Sequence, residues 1–492
     1  MSSAVIARNT TYLTSALIVQ KVLSFFLFLF IARTLGSERT GEYVAAFSFT
    51  SIFGVFADLG LAPVLIREIA RKREKSSFYL GNVIAVKLGL SIIVYLALLA
   101  SVYALFFWGQ GHPPIILIVI AGGVMVIDSF SLTASSVLRG WQNLWYESMA
   151  VIINKVIILI LGVLALWLWP SPITIALIIL LGSVVSLIIL FQSIKKSLGE
   201  WPPWGWDRHV QSELWSLAKP FALANIFAAV YSYSDSVLLS IMQNNTAVGL
   251  YSLASKTMNA FQFIPMAFMA AVYPAMSAWH REFPDKLRQL LEQSLRYLLI
   301  ISVPLSVGLY ILADKFVGGL GNEFMSSAAA VRILVPSLVF VFLSFPMGSL
   351  LNAANRQNWQ TSIIITTTVI NVGLNLWLIP RYSFIGASWS WFIANFLALI
   401  AGFYLSRLVI KYSFTNILKS LIRVAMATLI MGLMVLLLLT KTSVILTIVV
   451  AGIVYLALLL ILGEITASDF YYLLSLYKKS FGRDKTLWPE EN

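Results

Sequence analysis

Runs of about twenty apolar residues recur throughout this 492-residue chain. At 1.5 Å per helical residue, each run can cross a hydrocarbon layer of about 30 Å. In such a layer every backbone N–H and C=O must be satisfied within a helix or a closed barrel. The runs are continuous rather than alternating, which excludes barrel strands. The fold class is therefore an all-α polytopic membrane protein. Only 11% of residues are charged, where soluble domains carry about 25%. With no cysteine in the chain, thiolate chemistry, disulfides and Cys-ligated metal centres are excluded.

Fourteen spans are predicted, at 10–32, 42–66, 78–108, 115–138, 146–169, 172–194, 218–242, 247–275, 295–313, 327–351, 358–379, 384–406, 418–440 and 443–463. A cytoplasmic N-terminus puts 24 Lys and Arg residues on inner segments and five on outer ones: Arg33, Arg39, Lys315, Arg381 and Lys441. The positive-inside rule then predicts a multi-pass protein of the cell (cytoplasmic) membrane with both termini cytoplasmic. Topology accounts for the net charge of +13, so no nucleic-acid partner is expected. The first run is a full span without a small-residue cleavage site and is expected to remain in the mature protein.

Five segments follow from this pattern: an N-terminal six-helix lobe at 1–194, a cytoplasmic linker at 195–217, a C-terminal six-helix lobe at 218–406, helices 13 and 14 at 407–466, and a cytoplasmic tail at 467–492. The linker carries Trp201-Pro202-Pro203-Trp204-Gly205-Trp206, a stiff stretch suited to the headgroup region. In the tail, Phe470, Leu473, Leu474 and Tyr477 stand at helical spacing beside lysines, which predicts a helix on the inner membrane surface.

The two lobes echo each other. A shift of 208 residues aligns Gly41-Glu42-Tyr43 with Gly249-Leu250-Tyr251, and Leu138-Arg139-Gly140-Trp141-Gln142 resembles Leu351-Asn352-Ala353-Ala354-Asn355. With six spans each, both halves start on the same side, as parallel repeats rocking about a central site would. Prolines 63, 220, 265, 274, 304, 336 and 346 within or beside spans mark bends, either gates or tolerated kinks.

Charges inside spans are costly and point to function. Measured from the outer ends, Lys21, Asp58, Asp128 and Lys155 lie about 18 to 22 Å deep, one layer in the first lobe. Asp235 and Lys256 lie about 10 and 13 Å deep in the second, where they can pair if their faces agree. These six are the candidate cavity residues, with lysines to neutralise an anionic headgroup and aspartates to orient them, bind sugar hydroxyls or take a coupling proton or cation. Buried pairing that merely fixes helix packing is the alternative. Arg67, Lys87 and Arg139 are candidates for the cytoplasmic mouth, Lys87 by snorkelling to the inner headgroups; Arg332 is expected to snorkel at the outer one.

Ile31-Ala32-Arg33-Thr34-Leu35-Gly36, Asp58-Leu59-Gly60-Leu61 followed by Arg67, Leu138-Arg139-Gly140 and Ile379-Pro380-Arg381-Tyr382-Ser383-Phe384-Ile385-Gly386-Ala387-Ser388 occur in order. Through them the chain, from about 10 to 460, resembles the polysaccharide and lipid-linked oligosaccharide flippases of the multidrug/oligosaccharidyl-lipid/polysaccharide exporter superfamily. It departs at Ser383 and Ser388, where the family usually has Gly and Ala. The resemblance implies alternating access for a polyprenyl-diphosphate-linked oligosaccharide or related glycolipid, moved from inner to outer leaflet, with helices 13 and 14 offering a groove for the lipid tail. It implies no cofactor beyond a coupling proton or sodium ion. The implied partners are the lipid-linked oligosaccharide, membrane lipids and glycosyltransferases or a polymerase of the same pathway.

A drug or cation antiporter of the same superfamily is the second transporter reading, although an acid in the first span would suit it better than Lys21. The enzyme readings, a membrane glycosyltransferase, polymerase or ligase, would need a large catalytic loop, and the outer connections are short. His112, His209 and His280 lack metal-ligand spacing, and no P-loop, HExxH or G-x-S-x-G element occurs. The chain is read as not an enzyme.

Overall fold

The computed structural model describes residues 3–107, 114–198, 205–439 and 441–465, with side chains from Tyr12 onward. The described residues are nearly all helical and include no strand. Trp201 to Trp204, His112 and the tail helix expected over 468–479 lie outside them.

The first half contains α1 (Ser3–Asp58), α2 (Leu61–Arg71), α3 (Ser76–Phe107), α4 (Ile115–Gly140), α5 (Leu144–Leu168) and α6 (Pro172–Leu198). The second contains α7 (Arg208–Met242), α8 (Asn245–Phe261), α9 (Phe263–Glu282), α10 (Pro284–Gly318), α11 (Ser327–Leu334), α12 (Ser337–Ala353) and α13 (Gln357–Val409). Two last helices, α14 (Phe414–Leu438) and α15 (Val444–Ile461), follow. Twelve continuous helical stretches among the described residues are long and apolar enough to cross a membrane.

Two of those stretches make two passes each. A straight α1 would be about 84 Å long, but Gly36 adopts φ 76°, ψ 179°. The arms fold back so that Gln20 and Ser51 line one cavity. Similarly α13 turns at Ser383, φ 51°, bringing Gln360 and Gly402 to one cavity wall. Counting both hairpins gives fourteen passes. The glycine expected of the family at 383 would meet this left-handed φ without strain; here a serine carries it.

The sequence echo marks the same turn in both halves. Gln142 and Asn355 both take positive φ, 56° and 57°. Asn143 N–H donates to Leu138 O at 2.9 Å and Arg356 N–H to Leu351 O at 2.8 Å, the six-residue closure of a left-handed helix C-cap. Few letters survive because the turn needs only one residue that tolerates positive φ.

Two pseudo-symmetric lobes result. In the first, α1 packs with α3 to α6; in the second, α8, α10 and α11 to α13 pack together, while α14 stands against α10 and α15 against α14, with the Tyr455 hydroxyl of α15 donating to Ile300 O of α10. Glu464, just beyond α15, ties them there through Arg296, Arg423 and Ser420. The lobes meet at the face that the charge bias assigns to the outside. There a Cβ on Gly41 would lie 1.7 Å from Asn245 O and one on Gly249 1.9 Å from Ser37 O. Glu323 adds a third contact by accepting a hydrogen bond from Ser37 N at 3.0 Å.

The segment 195–217 is helical up to Leu198 and again from Arg208, because Asp207 caps α7 by accepting from His209 N and Val210 N. Arg332, part-exposed at the outer end of its span, pairs with Asp314 at 2.5 Å. α7 spans both lobes: Leu214 and Ala218 sit in the core of α2, α3 and α4, whereas Tyr231 and Ser234 bond to α13.

Candidate functional site

A cavity of about 580 Å³ lies between the lobes, lined by both arms of α1 and by α4, α5, α6, α7 and α8. Four ionisable side chains expected from the sequence face it: Lys21, Asp128, Lys155 and Lys256. Gln20, Ser24, Ser48, Ser51, Tyr233 and Asn259 add neutral polar groups. Asp128 interacts with Ser183 and, electrostatically, with Lys155. Three lysines against one aspartate leave an excess of positive charge where water and lipid headgroups give way to protein. Gln20 and Asn259 carry no charge and so do not stand out in the apolar runs; their signal is a polar residue one position from Lys21 and three beyond Lys256.

The other charges are sorted differently from their depths. Asp58 pairs with Lys87 at 2.6 Å, and Lys87 also donates to Ser129 O at 2.9 Å. Lys87 is fully buried, so it does not snorkel. It stands eleven residues into α3, roughly 16 Å along the axis, beyond the reach of its stem to the headgroups. Asp58 also borders an adjoining cavity of about 440 Å³ that shares Asp128 and Tyr233 with the main one.

Asp235 and Lys256 do not form a pair. Asp235 accepts from the Tyr251 hydroxyl and from Asn375 Nδ2, both at 2.5 Å, and Asn375 Nδ2 also donates to Asn371 Oδ1 at 3.2 Å. The α7–α8 turn sets Tyr251 opposite Asp235. Lys256 is five residues further, about 140° around the helix and about 7 Å deeper, so it reaches the central cavity instead. Neither Tyr251 nor the Asn371/Asn375 pair was singled out in the sequence, although two asparagines at i, i+4 within an apolar span put two amides on one face.

At the opposite face, Arg67 and Arg139 are already engaged. Arg67 Nε donates to Glu68 at 3.1 Å. Arg139 forks onto Glu147 at 2.6 to 3.0 Å, with both carboxylates buried. The Arg139 fork ties the end of α4 to the start of α5, and both arginine side chains stay part-exposed at this face. Among the described residues no group of three His, Asp or Glu side chains could hold a metal.

Two parallel-repeat lobes around a charged cavity, with two additional helices on one side, are the architecture of a bilobal membrane transporter. The chain belongs to the Polysaccharide biosynthesis protein family, which matches residues 6–280, more than half its length; the MatE family matches residues 220–377. It is 22% identical over 385 residues to a probable low-salt glycan biosynthesis flippase, Agl15, of Haloferax volcanii, covering 78% of this chain and 79% of that one. An uncharacterized membrane protein of Methanocaldococcus jannaschii is 24% identical over 402 residues, covering 76% and 79%. Among solved structures, the lipid II flippase MurJ in an inward closed conformation aligns with a TM-score of 0.73 at 17% identity, over 94% of this chain and 99% of that one. An inward-facing multidrug resistance MATE transporter aligns with a TM-score of 0.64 at 17% identity, over 79% and 94%. The chain is a transporter and not an enzyme.

Proposed function

We propose that this protein is a flippase that carries a polyprenyl-diphosphate-linked oligosaccharide or related glycolipid from the inner to the outer leaflet for surface glycan assembly. The observation that carries this reading is the cavity between the lobes, where Lys21, Lys155 and Lys256 outnumber Asp128. The lysines neutralise the diphosphate, Gln20, Ser24 and Asn259 meet sugar hydroxyls, and the lipid tail stays in the bilayer beside α14 and α15. The name of the Haloferax relative, a probable low-salt glycan biosynthesis flippase, supports a glycan substrate. An excess of positive charge disfavours a site for cationic drugs, the second transporter reading. Glycosyltransferases or a polymerase of the same pathway supply and consume the lipid-linked glycan.

Reconstituted protein with a short-chain polyprenyl-diphosphate-linked sugar tests the site. A hydrogen bond between a charged donor and phosphate contributes about 1.5 to 3 kcal/mol, a factor of about ten to a hundred. Lys21→Ala, Lys155→Ala and Lys256→Met are each expected to slow flipping at least about tenfold at unchanged folded yield, with arginine restoring part of it. Normal flipping by the triple variant would remove the cavity from the mechanism.

Asp235 is proposed as the coupling group. Its oxygens face the Tyr251 phenol and the side-chain amides of Asn375 and Asn371, all neutral, so a proton or sodium ion would supply the neutralising charge. The orientation, with both termini cytoplasmic in the cell membrane, is proposed on the 24 to 5 charge bias. Ser212 and Gly319 are exposed on opposite faces. In the cysteine-free chain, Ser212→Cys is expected to be protected from an impermeant thiol reagent on intact cells and Gly319→Cys labelled. The reverse pattern would invert the direction of transport.

A further inference from the structure

A second cavity, of about 330 Å³, lies inside the second lobe, walled by α7, α12 and both arms of α13. Its lining includes the hydroxyls and amides of Ser344, Ser349, Asn352, Gln360, Thr367 and Asn395, and no carboxylate, amine or guanidinium. Ser349, Asn352 and Gln360, beside the α12–α13 turn, are half-buried, whereas Thr367 and Asn395 are buried. The cavity thus leads inward from that turn, and Tyr231 forms part of its wall.

Tyr231 and Thr367 each stand one helical turn, about 6 Å, from the cluster around Asp235: Tyr231 on α7 below Asp235 itself, Thr367 on α13 below Asn371. The Tyr231 ring forms the part of the cavity wall nearest this carboxylate on α7. It stacks on Trp391, centroids 4.8 Å apart at 23°, and its hydroxyl donates to Asn395 Oδ1 at 3.0 Å. Asn375 Oδ1, buried on the residue that donates to Asp235, has no hydrogen-bond partner, and a buried lone pair of this kind in a native interior calls for an explanation. Hydroxyl and amide oxygens coordinate a small hard cation and its water. A passage without fixed charge neither repels such a cation nor holds it.

We propose that this cavity is the vestibule by which a small monovalent cation, a sodium ion or a hydrated proton, reaches Asp235, and that Tyr231 is its gate. The proposal rests on the reading of Asp235 as the coupling group. Swinging the Tyr231 ring off Trp391 opens the last turn, and the Asn395 hydrogen bond holds it shut.

Silver ion, a small cation that reacts with thiols, probes the route in the full-length chain in proteoliposomes. Ser344→Cys, in the vestibule, is expected to react from the face carrying the α12–α13 turn. Ser234→Cys, beside Asp235, is expected to react slowly, and at least tenfold faster from that same face once combined with Tyr231→Ala. Asn395→Ala, which frees the Tyr231 hydroxyl and leaves the ring, is expected to accelerate Ser234→Cys by a smaller factor. An unchanged rate in both backgrounds, or modification only from the opposite face, overturns the proposal. The coupling reading fails separately, if flipping by Asp235→Asn keeps its full dependence on an imposed ion gradient. Running that gradient as sodium at fixed pH, and as pH in choline, tells the two cations apart.

Discussion

Gly249→Ala is expected to abolish closure of the lobes at the Gly36 face and to reduce transport to background. The added methyl would sit 1.9 Å from Ser37 O and 2.8 Å from Ser37 C. Overpacking ordinarily costs about 1 to 3 kcal/mol because side chains give way. Here the obstacle is backbone on the other lobe, so relief comes only by moving a whole helix. Thr40 reports the outcome, since it is fully buried beside the contact. Thr40→Cys should resist a soluble maleimide in the otherwise unchanged chain and label readily with Gly249→Ala. Gly41→Ala, 1.7 Å from Asn245 O, should behave alike. Protected Thr40→Cys together with normal transport in either variant would show that the glycine contact is dispensable.

Lys87→Met is expected to be the most destabilising single substitution of a charged residue in the first lobe. It strands Asp58, 7% exposed, and leaves Ser129 O without the Lys87 donor. Removing one partner of a buried pair costs about 3 to 5 kcal/mol, while replacing both is close to neutral. Thermal unfolding in detergent should therefore show a large loss for Lys87→Met and recovery of most of it by Asp58→Asn with Lys87→Met. Unaltered stability of the single variant would mean that Asp58 is hydrated from the adjoining cavity and needs no lysine.

The passes were legible in the sequence because hydrocarbon imposes a length and a composition on every one of them. Pairing was not. Counting residues from a span end yields depth alone, and two charges at equal depth can face different helices. Lys21 and Lys155 line one cavity, yet Asp58, at a similar depth, turns to Lys87 on α3. Asp235 and Lys256 meet only if their faces agree, and Tyr251 takes the facing position instead. The hairpins at Gly36 and Ser383 were expected as gaps between spans, but nothing in the letters says that helical geometry continues almost to the turning residue. The repeat at Gln142 and Asn355 is invisible letter by letter because a backbone turn constrains one dihedral angle and leaves the side chains free.

α7 lies in both lobes, its first turns in the core with α2 and its last against α13. If the lobes separate, it cannot travel rigidly with both. Pro220, inside it, removes one i→i−4 hydrogen bond at the crossing and is where such a helix yields. One rod therefore has Asp235 near its far end and the packing of α2 at its near end. Any ligand that favours one bend of this rod at either end must, by reciprocity, be favoured by that bend in return. The leaflet in which a glycolipid is held and the occupancy of a carboxylate in the other lobe then become two readings of a single coordinate.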